Sequence, residues 1–194
     1  RRTIPSHSYS QLIKHLSYAA RDSDLAVMGQ YDRHKGHGEL PEGLAEQVML
    51  RCGRPILVIP YAGNFEHIGE RIMVGWNGTR ESARALNDAM PFLAESRKVR
   101  LLSINPPKEI LEHLEAYNAN LLEHLKFHGV DAEVLPDNNE DTPIPNLLIS
   151  RATDFGADML VMGAHSHQGF SQKLKGSVTR DLLRQITMPT LLSH

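Results

Sequence analysis

The loop that begins at Gly163 contains residue types that could bind a phosphate group. Glycine stands at both ends of the loop, at Gly163 and Gly176, and Ser177 begins an amphipathic segment. Glycine lets the backbone approach a ligand closely, and the free amides and dipole of a helix N-terminus attract anions. A serine there can cap the helix or bond a phosphate oxygen. The loop therefore predicts either a phosphate site or a long strand-to-helix connection whose glycines only relieve strain.

Two other groups of residues could do chemistry. His124 and His128 are four positions apart on a predicted helix, a spacing that can bind zinc, but the sequence shows no third ligand. We interpret them as a solvated helix surface and predict no metal. Ser166, His165 and Asp154 are the residue types of a catalytic triad, but the glycine pattern of a nucleophile elbow is absent. The sequence therefore assigns no catalytic residue.

The elements that would position these residues alternate between strand and helix from residue 71 onward. Strict alternation with short connections predicts an α/β fold with a doubly wound parallel sheet. The apolar strand before Gly163 is typical of a central parallel strand, and the loop after it is expected at the carboxyl edge, where such sheets bind ligands. The predicted strands are 71–78, 98–104, 130–135, 157–163 and 188–193, and the predicted helices are 79–93, 109–129, 144–156 and 177–186.

The first 62 residues match the end of the chain without a gap. Gly29 corresponds to Gly163 and Pro55 to Pro189, and both pairs are 134 positions apart (163 − 29 and 189 − 55). This match predicts an internal repeat. We interpret residues 1–62 as the C-terminal half of a first domain, 63–70 as a linker and 71–194 as a complete second domain. We therefore expect the native gene product to extend upstream by a further strand–helix–strand set.

Composition narrows the range of partners and compartments. The net charge of −2 gives no attraction to nucleic acid or to an anionic membrane, so neither partner is predicted. The single cysteine, Cys52, excludes an intrachain disulfide and is typical of a reducing compartment. We predict that Cys52 lies in the core and that the protein is cytoplasmic.

The residues around the loop resemble a known family. The spacing of Gly163, Ser166, Gly176 and Ser177 is similar to the nucleotide motif of the universal stress proteins, which is Gly-x2-Gly-x9-Gly-Ser/Thr in their ATP-binding branch. The stretch "RIMVGWNGTRESARAL" resembles the first strand and helix of that family, and "GADMLVMGAHSH" resembles its fourth strand and loop. This resemblance covers the whole chain and implies an adenine nucleotide alpha hydrolase-like fold.

The resemblance also implies which residues would bind ATP, ADP or AMP. Two departures from the family pattern predict weak binding. Ser166 replaces a motif glycine, and Asn77 replaces an aspartate, so one charged acceptor is lost. The implied site consists of Asn77 and Gly78, of Ser103 and Ile104 facing the adenine, and of Gly163, Ser166, His167, Gly176 and Ser177 facing the phosphates.

The function implied by the resemblance is that of a cytoplasmic stress-response protein with a weak ATP site in its second domain. Hydrolysis of ATP is expected to be slow and incidental at most, because no general base stands in the loop. The alternative is a module of the same fold that binds no nucleotide and acts through its dimer surface on an unidentified client protein. An enzyme of the wider adenine-nucleotide-binding superfamily would need a substrate-activating motif that we do not find.

Assembly is expected to use the two apolar strands that end the repeats, at 54–61 and 188–193. Their open edges would otherwise promote aggregation, so we predict that they pair. Pairing across a two-fold axis would give a homodimer, and pairing within one chain would give a pseudo-dimer.

Overall fold

A computed structural model describes residues 8–32, 41–105, 114–139, 141–164 and 178–194. The strands are β1 (Ala26–Gly29), β2 (Ile56–Ile59), β3 (Arg71–Gly75), β4 (Lys98–Ile104), β5 (Ala132–Asp137), β6 (Met159–Gly163) and β7 (Thr190–Ser193). The helices are α1 (Tyr9–Arg21), α2 (Leu44–Cys52), α3 (Arg80–Asp88), α4 (Met90–Glu95), α5 (Leu114–Phe127), α6 (Ile144–Phe155) and α7 (Val178–Leu183). Over these ranges, no helix is long and apolar enough to cross a membrane.

The strands of the described residues form one sheet in the order β1-β2-β7-β6-β3-β4-β5. Neighbouring strands are parallel, except that β2 and β7 are antiparallel. The predicted α/β fold with a doubly wound parallel sheet is therefore confirmed, and the sheet is mostly parallel.

The order of the strands creates a switch point between β3 and β6. From β3 the chain moves outward to β4 and β5, whereas from β6 it moves in the opposite direction to β7. The chain therefore leaves these two neighbours in opposite directions, an arrangement that in open α/β sheets gives a crevice at the carboxyl ends of the strands. Open α/β sheets bind ligands at such a crevice.

Helices cover both faces of the sheet. One apolar cluster joins α1, α2, α6 and α7 to the sheet through residues such as Leu44, Leu148 and Leu182. The second joins α3, α4 and α5 through residues such as Leu86 and Leu125. Because both faces are covered, all five residues of β6 are buried, which explains its continuous apolar sequence.

The predicted helix at 79–93 is two helices, so that prediction was wrong. The first, α3, begins at the N-cap Thr79, whose hydroxyl accepts a hydrogen bond from the nitrogen of Ser82 at 3.3 Å. It ends at Asp88 with Ala89 as its C-cap, and α4 begins at Met90 with a proline, Pro91, in its first turn. Proline has no amide hydrogen to continue the preceding helix, and its ring would clash with the carbonyl four residues earlier.

The segment before β3 is fixed by Asp158. Its Oδ1 accepts hydrogen bonds from the backbone nitrogens of Gly69 at 3.1 Å and Arg71 at 3.0 Å, and its Oδ2 accepts one from Glu70 at 2.9 Å. One carboxylate thus satisfies three consecutive amides where β3 begins beside β6. This contact sets the register in which the two strands reach the switch point.

Candidate functional site

Asn77 and Gly78 form the turn that follows β3. The Oδ1 of Asn77 accepts hydrogen bonds from the backbone nitrogen of Thr79 at 3.2 Å and from its hydroxyl at 2.8 Å. Gly78 has a φ of 72°, a conformation that favours glycine. The amide oxygen of Asn77 therefore helps to start α3, and an aspartate could accept the same two bonds.

Gly163 ends β6 in close contact with the first turn of α3. A β-carbon on Gly163 would lie 2.3 Å from the carbonyl carbon of Glu81 and 2.5 Å from the backbone nitrogen of Ser82. Only glycine fits at this distance, whether or not a ligand binds. The sequence predicted Gly163 as a site residue, but its packing against α3 was not visible in any local pattern.

Ser103 and Ile104 end β4, next to β3. Ser103 is 1% exposed, whereas Ile104 is half-buried and packs at the margin of the first apolar cluster. The following residue, Asn105, has a φ of 44°. Its backbone nitrogen donates to the carbonyl of Asp137 at 3.0 Å, and its Nδ2 donates to the carbonyl of Asn139 at 3.0 Å. Asn105 was not predicted, although an asparagine before two prolines is a turn signal.

The described part of the predicted site lies at one edge of the sheet. Gly75 of β3 pairs with Leu102 of β4 and with Met162 of β6, so these three residues lie at the same level and the residues that follow them lie at the carboxyl edge. Asn77, Gly78, Ser103, Ile104 and Gly163 are thereby brought to the switch point. Four other predicted residues, Ser166, His167, Gly176 and Ser177, lie outside the described residues.

Polar residues that sequence analysis missed also reach this edge. The hydroxyl of Ser193, at the end of β7, lies 2.5 Å from the Oδ2 of Asp88, which also accepts a hydrogen bond from the Nε of Arg84 at 2.8 Å. The Nδ1 of His194 lies 2.8 Å from the carbonyl oxygen of Ala164. The contacts of Ser193 and His194 join positions 105 and 30 apart in sequence, so no local motif could reveal them.

A further ion pair lies at the end of β5, on the same edge of the sheet. The Nε of Arg151 donates to the Oδ2 of Asp137 at 2.7 Å. The hydrogen bond and charge of Asp137 raise the pKa of the Arg151 guanidinium. The charge of the Asp137 carboxylate is therefore balanced by Arg151, so this carboxylate does not stand as a free general base.

A cavity of about 40 Å³ lies at the carboxyl edge of β1, the counterpart of the β6 edge in the predicted repeat. Two ion pairs border it, Arg180 with Glu46 at 3.2 Å and Arg184 with Glu42 at 2.7 Å. Burial, followed by the charge of Glu46, raises the pKa of the nearby Tyr9 phenol. The two glutamates and two arginines that border the cavity balance in formal charge.

The two histidines at zinc-binding spacing, His124 and His128, contact each other. The rings of His124 and His128 have centroids 4.8 Å apart in an edge-to-face arrangement on α5. Among the residues that the structure describes, no group of three His, Cys, Asp or Glu side chains could hold a metal ion. Cys52 is buried at the end of α2, as predicted for a core residue.

The sheet order and the polar groups at its switch point define a doubly wound α/β protein with a candidate ligand site at the carboxyl edge. The model of the universal stress protein family matches residues 69–194, so the chain belongs to that family. No curated protein matches the chain significantly.

Solved structures show the same fold. A universal stress protein from Archaeoglobus fulgidus has 15% identity and a TM-score of 0.69, with 93% of this chain and 64% of that chain covered. A functionally unknown protein from Pseudomonas aeruginosa has 16% identity and a TM-score of 0.58, with 98% and 68% covered. A universal stress protein in complex with cAMP has 22% identity and a TM-score of 0.50, with 64% and 96% covered. The chain thus spans about two thirds of the length of the first two proteins.

Proposed function

We propose that this chain is a cytoplasmic stress-response protein that binds an adenine nucleotide weakly at the switch point of its sheet. The observation that carries the proposal is the convergence of Asn77, Gly78 and Gly163 on the crevice between β3 and β6, with Ser103 and Ile104 beside it. Crevices of this kind are the usual ligand sites of open α/β sheets.

The candidate ligand is ATP, ADP or AMP. Membership of the universal stress protein family supports this class of ligand, and one protein of the same fold forms a complex with cAMP, which is also an adenine nucleotide. In this chain, the half-buried side chain of Ile104 offers an apolar contact to a base, and Asn77 offers an amide to a ribose hydroxyl. The family motif assigns the phosphates to Gly163, Ser166, His167, Gly176 and Ser177.

Binding is expected to be weak because two positions depart from the family motif. Loss of one charged hydrogen bond at Asn77 costs about 1.5–3 kcal/mol. A strained non-glycine backbone at Ser166 costs about 1–3 kcal/mol. Together these changes weaken a site by about two to four decades, at about 1.4 kcal/mol per decade.

Hydrolysis of ATP is proposed to be slow and incidental. The carboxylates described at this edge are engaged with cations, Asp88 with Arg84 and Asp137 with Arg151. A carboxylate held in this way is a poor base for activating a water molecule, because its charge is already stabilised.

A second candidate function is an interaction module that binds no nucleotide and acts on a client protein. It is favoured by the structural roles of two predicted site residues. Gly163 is required for the packing of α3, and Asn77 Oδ1 starts α3 through Thr79. Both residues therefore have a reason to be present without a ligand.

We also propose the domain division and a pseudo-dimer. Residues 1–62 would be the second half of a first unit, 63–70 the linker and 71–194 a complete second unit. In support, β2 and β7 have bounds that differ by the repeat offset at both ends (190 − 56 and 193 − 59), and they pair within the chain. The alternative assembly is a homodimer.

Calorimetric titration of ATP, ADP, AMP and cAMP tests the nucleotide site. The proteins to compare are the parent chain, the double variant Ser166→Gly/Asn77→Asp and the control Asn120→Asp, which adds the same charge on an exposed face of α5. We expect the double variant to bind ATP at least about 100-fold more tightly than the parent and the control, in line with two or more decades.

The other outcomes decide between the candidates. Equal, tight binding by the parent and the double variant would show that the two departures do not weaken the site. Absence of binding by both proteins would replace the nucleotide proposal with the interaction module.

A further inference from the structure

The antiparallel contact between β2 and β7 has a centre at which equivalent residues of the repeat meet. Leu57 lies opposite Leu191, with Ile56 opposite Leu192 and Val58 opposite Thr190 on either side. Leu57 and Leu191 are 134 positions apart (191 − 57), the offset at which the two ends of the chain match. A local two-fold axis between the repeats therefore passes through this pair. We call the surface formed there by residues 41–59 and 178–194 the seam.

A second pair of equivalent residues meets across the same axis. The Nε of Arg180, on α7, lies 3.2 Å from the Oε2 of Glu46, on α2, and these positions are also 134 apart. The Glu46 side chain is 6% exposed and that of Arg180 is 45% exposed. At the centre of the seam, the two repeats thus carry identical leucines but opposite charges.

Other contacts across or beside the seam are not repeated by the equivalent residues. The Nε2 of Gln30 donates to the carbonyl of Leu183 at 2.8 Å, whereas the position equivalent to Gln30 is Ala164. Arg184 binds Glu42 at 2.7 Å, and the residue equivalent to Arg184 is Leu50. The seam is therefore symmetric in its backbone and apolar centre but asymmetric in its polar groups.

We infer that the charges at 46 and 180 specify the partner of the seam, which is the other half of the same chain and not a second copy of the same half. If two copies of α7 and β7 met about this axis, Leu191 would face Leu191 without difficulty, but Arg180 would face Arg180. Two copies of α2 and β2 would bring together two nearly buried glutamates. Like charges at an interface suppress such pairings, while opposite charges fix the correct one. This inference is independent of nucleotide binding.

Charge reversal in the full chain tests the inference through thermal unfolding. The variants are Glu46→Arg, Arg180→Glu and the double variant Glu46→Arg/Arg180→Glu, with Glu123→Arg on an exposed face of α5 as control. We expect each single reversal at the seam to lower Tm by about 4 °C or more and the control to leave it unchanged. The double variant should recover at least half of the summed loss. Additive losses in the double variant would overturn the role of the charges.

Thiol cross-linking tests the choice of partner without relying on a destabilised protein. In a Cys52→Ala background, Leu57→Cys/Leu191→Cys should form an intrachain disulfide on oxidation, because the two residues are directly opposite. Leu191→Cys alone should stay monomeric on a non-reducing gel. A covalent dimer of the single variant would show that two copies of β7 pair, and it would overturn the inference.

Discussion

Gly163 and Ser82 are in such close contact that a β-carbon on Gly163 would lie 2.5 Å from the backbone nitrogen of Ser82. The glycine stands at the point where α3 crosses the end of β6. The first residue of the predicted phosphate loop is therefore also the residue that allows the helix to approach the sheet.

Replacement of Gly163 with alanine should destabilise the protein by about 1–3 kcal/mol, because α3 must move to admit the methyl group. The control is Gly75→Ala in the neighbouring strand, where the new β-carbon would meet its nearest atom at 3.5 Å, an ordinary contact. Urea unfolding measures both variants. Equal stability of the two variants would contradict the close contact.

Asp158→Ala should lower stability by about 2–3 kcal/mol, because three consecutive amides, from Gly69 to Arg71, lose a charged acceptor. Its equivalent in the repeat, Asp24, is exposed and provides a matched control. Asp24→Ala should change stability by less than about 0.5 kcal/mol. Denaturant midpoints measure the difference, and similar losses in both variants would argue against the role of Asp158.

A pH-dependent effect is expected at Glu133. The hydrogen bond from Arg100, followed by the charges of Arg100 and Lys98, lowers the pKa of the Glu133 carboxyl. Because the pKa is lower in the folded chain, the stabilisation is complete above about pH 5 and is lost as the pH falls through the lowered pKa.

The measurement is thermal unfolding of the parent and of Glu133→Gln between about pH 2 and pH 7. The variant should be slightly less stable at neutral pH, since Glu133 is 41% exposed, and should equal the parent at the acidic end. The exposed Glu123→Gln is the control for removal of a charge. A difference that persists unchanged at the acidic end would exclude the ion pair as its cause.

The two strands β1 and β6 should respond differently to the same substitution. Val27 of β1 is 61% exposed, whereas Val161, at the equivalent position of β6, is fully buried. In the described part of the chain β1 has a neighbouring strand on one side, whereas β6 lies between β3 and β7. Val161→Thr buries a hydroxyl and should cost about 1–3 kcal/mol, while Val27→Thr should cost less than about 0.5 kcal/mol. Chemical unfolding compares the two, and a larger loss at Val27 would contradict the exposed position of β1.

Much of the fold could be predicted because it depends on local patterns. The bounds of β4, Lys98–Ile104, were predicted to the residue, because the two prolines at 106 and 107 mark the end of an apolar run. Gly129 and Gly156 were predicted as helix stops, and both have positive φ values, 77° and 68°. The break at Ala89 was missed, since the apolar periodicity continues through it and only Pro91 marks it.

The candidate site could be predicted only in part. The strand pattern placed the loop after Gly163 at the carboxyl edge, whereas Asn77 and Ser103 were assigned to the site by the resemblance to the family. The bond between Ser193 and Asp88 was missed because 105 positions separate the two residues. The contact of Gly163 with α3 was missed for the same reason. Long-range packing of this kind carries no local signature in a single sequence.

The antiparallel contact between β2 and β7 also divides the sheet into two groups of strands that run in opposite directions. Because β1 and β2 run opposite to the other strands, their carboxyl ends lie on the rim opposite to Asn77 and Gly163. At about 3.3 Å per residue, strands of four or five residues separate the rims by about 13–17 Å. The sheet therefore has carboxyl ends of strands on both rims, and a small ligand bound at one rim does not sterically block the other. Communication between the two rims would pass through the β2–β7 pair and through the contacts of α2 with α7, such as the one between Glu46 and Arg180.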